Sequence, residues 1–185
     1  KNISLIASSE QLEEVVITEK SKSNIRKAEM SVNKLSIVNI KKMPVVLGEV
    51  DVLKSILLLP GVTNAGEGAS GFNVRGGGAD QNLILLDEAV IFNSSHVFGF
   101  FSVFNPDAIK DLKLYKGGIP ARFGGRGSSV LDIYQKDGNS KEFHMNGGIG
   151  LISSRLLAEG PLVKDKGSFL IGGRASYAHL FLKLA

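Results

Sequence analysis

Residues 115–133 read Tyr-Lys-Gly-Gly-Ile-Pro-Ala-Arg-Phe-Gly-Gly-Arg-Gly-Ser-Ser-Val-Leu-Asp-Ile, and the reading of this stretch decides the fold. It holds five glycines, three cations (Lys116, Arg122, Arg126) and, near its end, a single acid, Asp132. Alternating segments flank it, Asp-Leu-Lys-Leu-Tyr up to Tyr115 and Ser-Val-Leu-Asp-Ile-Tyr from Ser129. Glycine at this density lets a backbone bend sharply and pass close to other surfaces, while the arginines need acidic partners. A short crossing between two strands, rich in cations and poor in acids, points to a domain that docks inside something larger.

Composition sets the outer limits. A chain of 185 residues suits one domain, or one domain with a fragment of another. The net charge is 22 minus 18, or +4, and no long Lys/Arg block suggests a nucleic-acid partner. With no cysteine, disulfide frameworks and thiolate metal sites are excluded. Glycine numbers 22, well above the ordinary share of about 7%. No apolar run approaches the roughly 18 residues of a transmembrane helix. Lys1-Asn-Ile-Ser-Leu-Ile-Ala lacks the basic and apolar regions of a signal peptide, and Lys1 is not expected to be the natural start.

Three regions follow along the chain. Residues 1–28 are polar around one apolar patch, Glu13 to Thr18, and read either as a flexible tail or as a β-prone peptide that adds a strand to a partner. Residues 29–138 read as a compact α+β domain. Expected there are a strand from Met30 to Leu35, a helical turn Ile37 to Lys41 capped by Ser36, and a helix from Gly48 to Leu59 stopped by Pro60-Gly61. Asn82 to Asp87 reads as a buried strand, Glu88-Ala89 as a turn and Val90 to Phe92 as a return strand. A helical turn Pro106 to Ile109 is expected behind Asn105, then strands Asp111 to Lys116 and Val130 to Tyr134. In residues 139–185 apolar and polar positions alternate in three segments joined by turns such as Gly160-Pro161…Lys166-Gly167. Alternation alone favours a soluble sandwich, with outer-membrane strands the competing reading.

Catalytic chemistry is not apparent. Gly76-Gly77-Gly78 lacks the Gly-Lys-Ser/Thr of a phosphate loop and leads through Asp80 into another strand. His96, His144 and His179 have no ligand-like spacing, so no metal or other cofactor is expected. Asp87-Glu88 reads as a turn rather than an acid/base pair. Arg75, Lys116, Arg122 and Arg126 are the residues of interest, each beside a glycine turn and an apolar strand.

Together these residues resemble the plug domain of TonB-dependent outer-membrane receptors, especially the Bacteroidetes-type. The likeness covers about residues 12–138 and rests on Leu12-Glu-Glu-Val-Val-Ile-Thr18, Leu58-Leu-Pro-Gly-Val62, Phe72-Asn-Val-Arg-Gly76, Ile84-Leu-Leu-Asp-Glu88, Leu114-Tyr-Lys-Gly117, Arg122-Phe-Gly124 and Val130-Leu-Asp-Ile133. The resemblance implies a plug with a small mixed β-sheet and short helices, and makes 139–185 the first antiparallel strands of a transmembrane β-barrel of roughly 22 strands. That reverses the sandwich reading.

The resemblance also assigns roles. Glu14, Val15, Val16, Ile17 and Thr18 would be the TonB box, pairing in the periplasm with the C-terminal domain of TonB. Arg75 matches the arginine of the family's Val-Arg-Gly motif, which ion-pairs with barrel glutamates. Many members have Arg-Gly-Pro where this chain has Lys116-Gly-Gly-Ile before Pro120, so Arg122 and Arg126 stand beside Lys116 as the second lock. Glu159 is the one candidate acid within the chain. Gly77, Gly78, Asp80, Gln81, Phe92, His96 and Phe100 would face a nutrient of the siderophore, glycan, peptide or cobalamin class. Further implied partners are outer-membrane lipid, the protein's own barrel and, in some members, a surface lipoprotein. Two other readings stay open: a free-standing periplasmic interaction domain, and a plug whose output is signalling through an upstream domain.

Overall fold

A computed structural model describes residues 31–43, 50–66, 71–96, 101–150 and 153–177. The expected TonB box, Met30, Gly48, Phe100, His179 and Phe181 lie outside the described residues. The chain forms β1 (Val32–Ser36), helical turns α1 (Ile37–Ile40) and α2 (Val52–Ile56), and the small hairpin of β2 (Val62–Asn64) with β3 (Phe72–Val74). A 3-10 turn (Ala79–Gln81) leads into β4 (Asn82–Leu86) and β5 (Ala89–Val90), followed by the short pair β6 (Ser95–His96) and β7 (Phe101–Ser102). Next come β8 (Ile109–Tyr115) and β9 (Ser129–Gln135), then β10 (His144–Ile149), β11 (Ser153–Val163) and β12 (Gly167–Ser176).

The main sheet has the order β1-β8-β9-β4-β5, antiparallel throughout except for the parallel pair β4 and β9. Its two faces carry separate clusters. Ile84, Leu112, Leu114, Leu131 and Ile133 meet Ile40 of α1, Val52, Leu53 and Ile56 of α2, and Phe72, Val74 and Phe104. The opposite face holds Leu83, Leu85, Tyr115 and Val130, covered by Val32, Ile119 and Phe123. The glycine-rich crossing is therefore the lid of the second face: it folds back and sets the Phe123 ring 5.4 Å from Tyr115. Strands buried on both sides read as continuous apolar runs, which is why Leu83 to Leu86 does. The second sheet, β10-β11-β12, is an antiparallel meander.

Local chemistry sets the element ends. Ser36 ends β1 and caps α1, its side chain accepting from the Asn39 amide. The second helix is shorter than expected, because Asp51 accepts from the amides of Leu53 and Lys54 and starts it there. The β4–β5 hairpin turns at Asp87-Glu88, the pair read above as a turn, and its return strand Ala89–Val90 starts one residue sooner than the expected Val90 to Phe92. A two-residue hairpin loop of type I′ has positive φ at both central positions, and Asp87 (46°) and Glu88 (71°) adopt it. After Asn105 there is a turn and no helix: the Asn105 carbonyl accepts from Ala108, its side chain from Asp107, and Ile109 already begins β8. Gly160-Pro161 is likewise not a turn. Both lie within β11, whose register shifts between Pro161 and Val163, the kind of irregularity that accommodates a residue without an amide hydrogen.

Glutamate in a left-handed turn position is strained where glycine is not. Glu88→Gly should raise stability by about 1 kcal/mol, measured as a higher urea midpoint. An unchanged midpoint would show that the turn stores no strain.

Candidate functional site

The site is the seam between the main body and the second sheet. Residue alternation gives β11 two faces. Leu156 and Ala158 pair across the sheet with Gly173 and Ile171 and with Gly147 and Met145, and Met145, Leu156 and Ile171 are exposed. Arg155, Leu157 and Glu159 point the other way, onto the body. Leu157 is 1% exposed.

Polar contacts flank that leucine. Arg155 Nε donates to Asp107 Oδ2 at 2.7 Å, and Lys41 Nζ donates to Asp107 Oδ1 at 2.6 Å. Lys136, just past β9, donates to Glu159 Oε1 at 3.0 Å. Arg174 on β12 donates to the Ser102 carbonyl at 2.7 Å, and the Ser102 amide donates to Asp51 Oδ2 at 2.7 Å. A short path thus runs from the second sheet to the cap of α2. Glycines allow the close approach: a Cβ on Gly172 would lie 2.9 Å from Leu157 Cδ1 and 3.2 Å from the Asn105 side chain. A Cβ on Gly138 would overlap the backbone of Phe169.

Burial pushes the Asp107 carboxyl up, but hydrogen bonds from Lys41 and Arg155, with their charges, outweigh it and hold the group below 3.8. On β9, the Tyr134 hydroxyl donates to Asp132, itself 2% exposed. Burial and then the neighbouring carboxylate push that phenol up from 10.0. Both residues line a cavity of about 440 Å³ with Arg122, Phe123, Glu88 and Leu83.

Of the four cations singled out from the sequence, only Lys116 is buried, and the exposed Arg75, Arg122 and Arg126 lie against groups of the body. Arg75 occupies a two-residue turn with Gly76, at φ 51°, and donates to Ser31 Oγ at 3.0 Å. Lys116 is buried, with Nζ on the Pro60 carbonyl at 2.8 Å. Arg122 lies over the Phe123 ring at 4.5 Å and reaches the Tyr115 hydroxyl at 3.4 Å. Arg126 donates to the Asp80 carbonyl. Among the described residues none of the four is paired with a carboxylate, and the expected acid Glu159 takes Lys136 instead.

The expected substrate-facing residues partly converge. Asp80 and Phe92 line a cavity of about 270 Å³ with Arg126 and Asn93, and Phe92 is 88% exposed. Gly77 and Gln81 are held against the crossing, where a Cβ on Gly77 would overlap Ser128 and the Gln81 carbonyl accepts from the Ser128 amide at 3.0 Å. Gly78 precedes the 3-10 turn, and His96 pairs with Phe101 in the β6–β7 ladder. Sequence reasoning passed over Asp107 and Lys136. The available signal was the placement of Arg155 and Glu159 on one face of a strand, which calls for an acid and a base opposite.

The depressed carboxyl carries a pH signature. Stabilisation by Asp107 is fully present above the unfolded value of 3.8 and is lost as pH falls through the lower folded value. Asp107→Asn should cost about 2 kcal/mol at neutral pH and remove this acid dependence. Melting identical to the parent at neutral pH would show that the carboxylate does not carry the contact.

The model of the TonB-dependent receptor plug domain family matches residues 24–130. Solved structures share the fold. A mutant of the ferric enterobactin receptor PfeA of Pseudomonas aeruginosa, in complex with enterobactin, matches with a TM-score of 0.57 and 22% identity, over 78% of this chain and 24% of that one. The siderophore receptor PirA of the same organism gives 0.55 and 22%, over 80% and 28%. The alcaligin outer-membrane receptor FauA of Bordetella pertussis gives 0.56 and 14%, over 82% and 27%. No curated protein matches the chain. The chain spans about a quarter of the length of these structures. With more than half of its residues inside the family match, and with the mixed sheet, short helices and following antiparallel strands described above, the chain belongs to the TonB-dependent receptor plug domain family.

Proposed function

We propose that residues 29–138 are the gate of a receptor that takes up a scarce nutrient with energy delivered by TonB, and that 139–185 are the first strands of its barrel. The family is one of outer-membrane receptors of Gram-negative bacteria, with the plug inside the barrel, and its members are transporters rather than enzymes. The observation that carries the gate reading is the seam. The body rests on the polar face of strands whose other face is apolar, and it is held there by discrete side-chain pairs at Asp107, Lys136 and Ser102. A body fastened by a few charge-assisted contacts has two discrete states, docked and displaced, and suits switching better than gradual deformation.

In this reading residues 1–28 hang in the periplasm, and Glu14 to Thr18 form the strand that TonB captures. Arg75, Lys116, Arg122 and Arg126 meet acids on barrel strands beyond those in this chain, after leaving their present partners. Asp80, Gln81, Phe92 and their neighbours meet the nutrient, of the siderophore, glycan, peptide or cobalamin class. Receptors for ferric enterobactin and alcaligin share the fold and support the siderophore class. Deleting residues 13–18 should abolish energised uptake of the nutrient while leaving its binding to whole cells intact. Uptake that survives the deletion would refute the coupling role.

A further inference from the structure

Asp107 lies between two cations from different parts of the chain. Its carboxylate is 6% exposed, the Arg155 side chain on β11 is 18% exposed, and the Lys41 side chain, just past α1, is 44% exposed. Lys41 takes Oδ1 and Arg155 takes Oδ2, so either bond can break while the other persists. The two losses are unequal. A buried carboxylate stripped of every cation keeps an uncompensated charge, the costly outcome. Stripped of Lys41 alone, it retains a charge-assisted bond to the strand it faces. Lys41 leaves more easily, because its side chain is nearly half exposed whereas that of Arg155 is mostly buried.

The surroundings divide in the same way. On the Lys41 side, β1 is an edge strand held by pairing to β8 from Val32 to Ser36. At its start the Ser31 carbonyl accepts from the Lys116 amide, and its hydroxyl from Arg75, both at 3.0 Å. Ile40 supplies the apolar hold. On the Arg155 side, the 105–108 turn is seated by Asn105 beside Gly172, by Arg174 on the Ser102 carbonyl and by Lys136 on Glu159. An edge strand opens from one end, pair by pair, whereas the seated turn has several contacts that must fail together.

We propose that Asp107 is the anchor at which the plug divides: residues 31–41 leave it through Lys41, while the 105–108 turn stays on the barrel strand through Arg155. The proposal rests on the gate reading only for the source of the pull. Asp107 is a positioning residue here, and its role is to keep the body in place while the N-terminal strand departs.

Segment-resolved hydrogen exchange on the full-length receptor tests it, comparing the parent with Lys41→Met and Arg155→Met. Lys41→Met should speed exchange over residues 32–41 by about tenfold and leave 103–109 within about twofold, while Arg155→Met should speed 103–109 by about tenfold. Equal acceleration of both segments in Lys41→Met, or unchanged exchange at 103–109 in Arg155→Met, would overturn the proposal. If Arg155→Met does not assemble, Asp107→Arg combined with Arg155→Asp serves in its place. The exchanged pair should protect 103–109, while Lys41, now facing a cation, leaves 32–41 fast; protection of both segments or of neither would overturn the anchor. These outcomes are separate from those of uptake. The expected exchange pattern together with uptake that survives loss of residues 13–18 removes the gate reading and keeps the anchor. Loss of the pattern with uptake abolished by the deletion does the reverse.

Discussion

Two ion pairs of opposite polarity, Asp107 with Arg155 and Lys136 with Glu159, fix where the body meets the second sheet. Arg155 and Glu159 share one side of β11 with Leu157 buried between them, so the strand presents a cation, an apolar patch and an acid in order. The body answers with an acid and a cation in the matching order. Sliding or inverting the strand would set like charges against each other, or leave a charge buried and unpaired, either of which is more costly than the correct pairing is favourable. The seam is therefore specific in register even where its net contribution to stability is small.

That specificity depends on a body that does not flex at the contact. The parallel pairing of β4 with β9 locks the strand that ends beside Lys136, and β8, which follows the Asp107 turn, is paired along both its edges. Both faces of the sheet are covered, one by the helices and the other by the crossing with Ile119 and Phe123. The glycine-rich stretch, which looks in the sequence like a loop open to a partner, covers its own sheet through Ile119 and Phe123 while Gly124 to Gly127 stay exposed. Its cations are spent on a carbonyl, a ring and a phenol within the body.

Much of the fold was legible because it is set locally. The cap at Ser36, the apolar spacing of Val52, Leu53 and Ile56, and the unbroken apolar run Leu83 to Leu86 each carry their cause within a few residues. The return strand starts at Ala89 rather than Val90, because Asp87 and Glu88 close the loop in two residues with positive φ and neither holds the glycine that usually marks it. The charge pairs were illegible for a different reason. Which cation meets which acid depends on how separate segments pack, and Asp107 joins residues 41 and 155, far from it in the chain. Alternation along β11 puts Arg155 and Glu159 on one face and Leu156 and Ala158 on the other, but no local pattern says what stands opposite.

At Gly138 the linker leaving the body lies against the backbone of Phe169 with no space for a side chain, and backbone, unlike a flexible side-chain tip, does not yield. This bears on how such proteins exchange parts. A body recombined from another receptor would seat on this sheet only if its linker brought a residue without a side chain to the same place. The seam between the two units is thus under tighter sequence constraint than the outer surface of either.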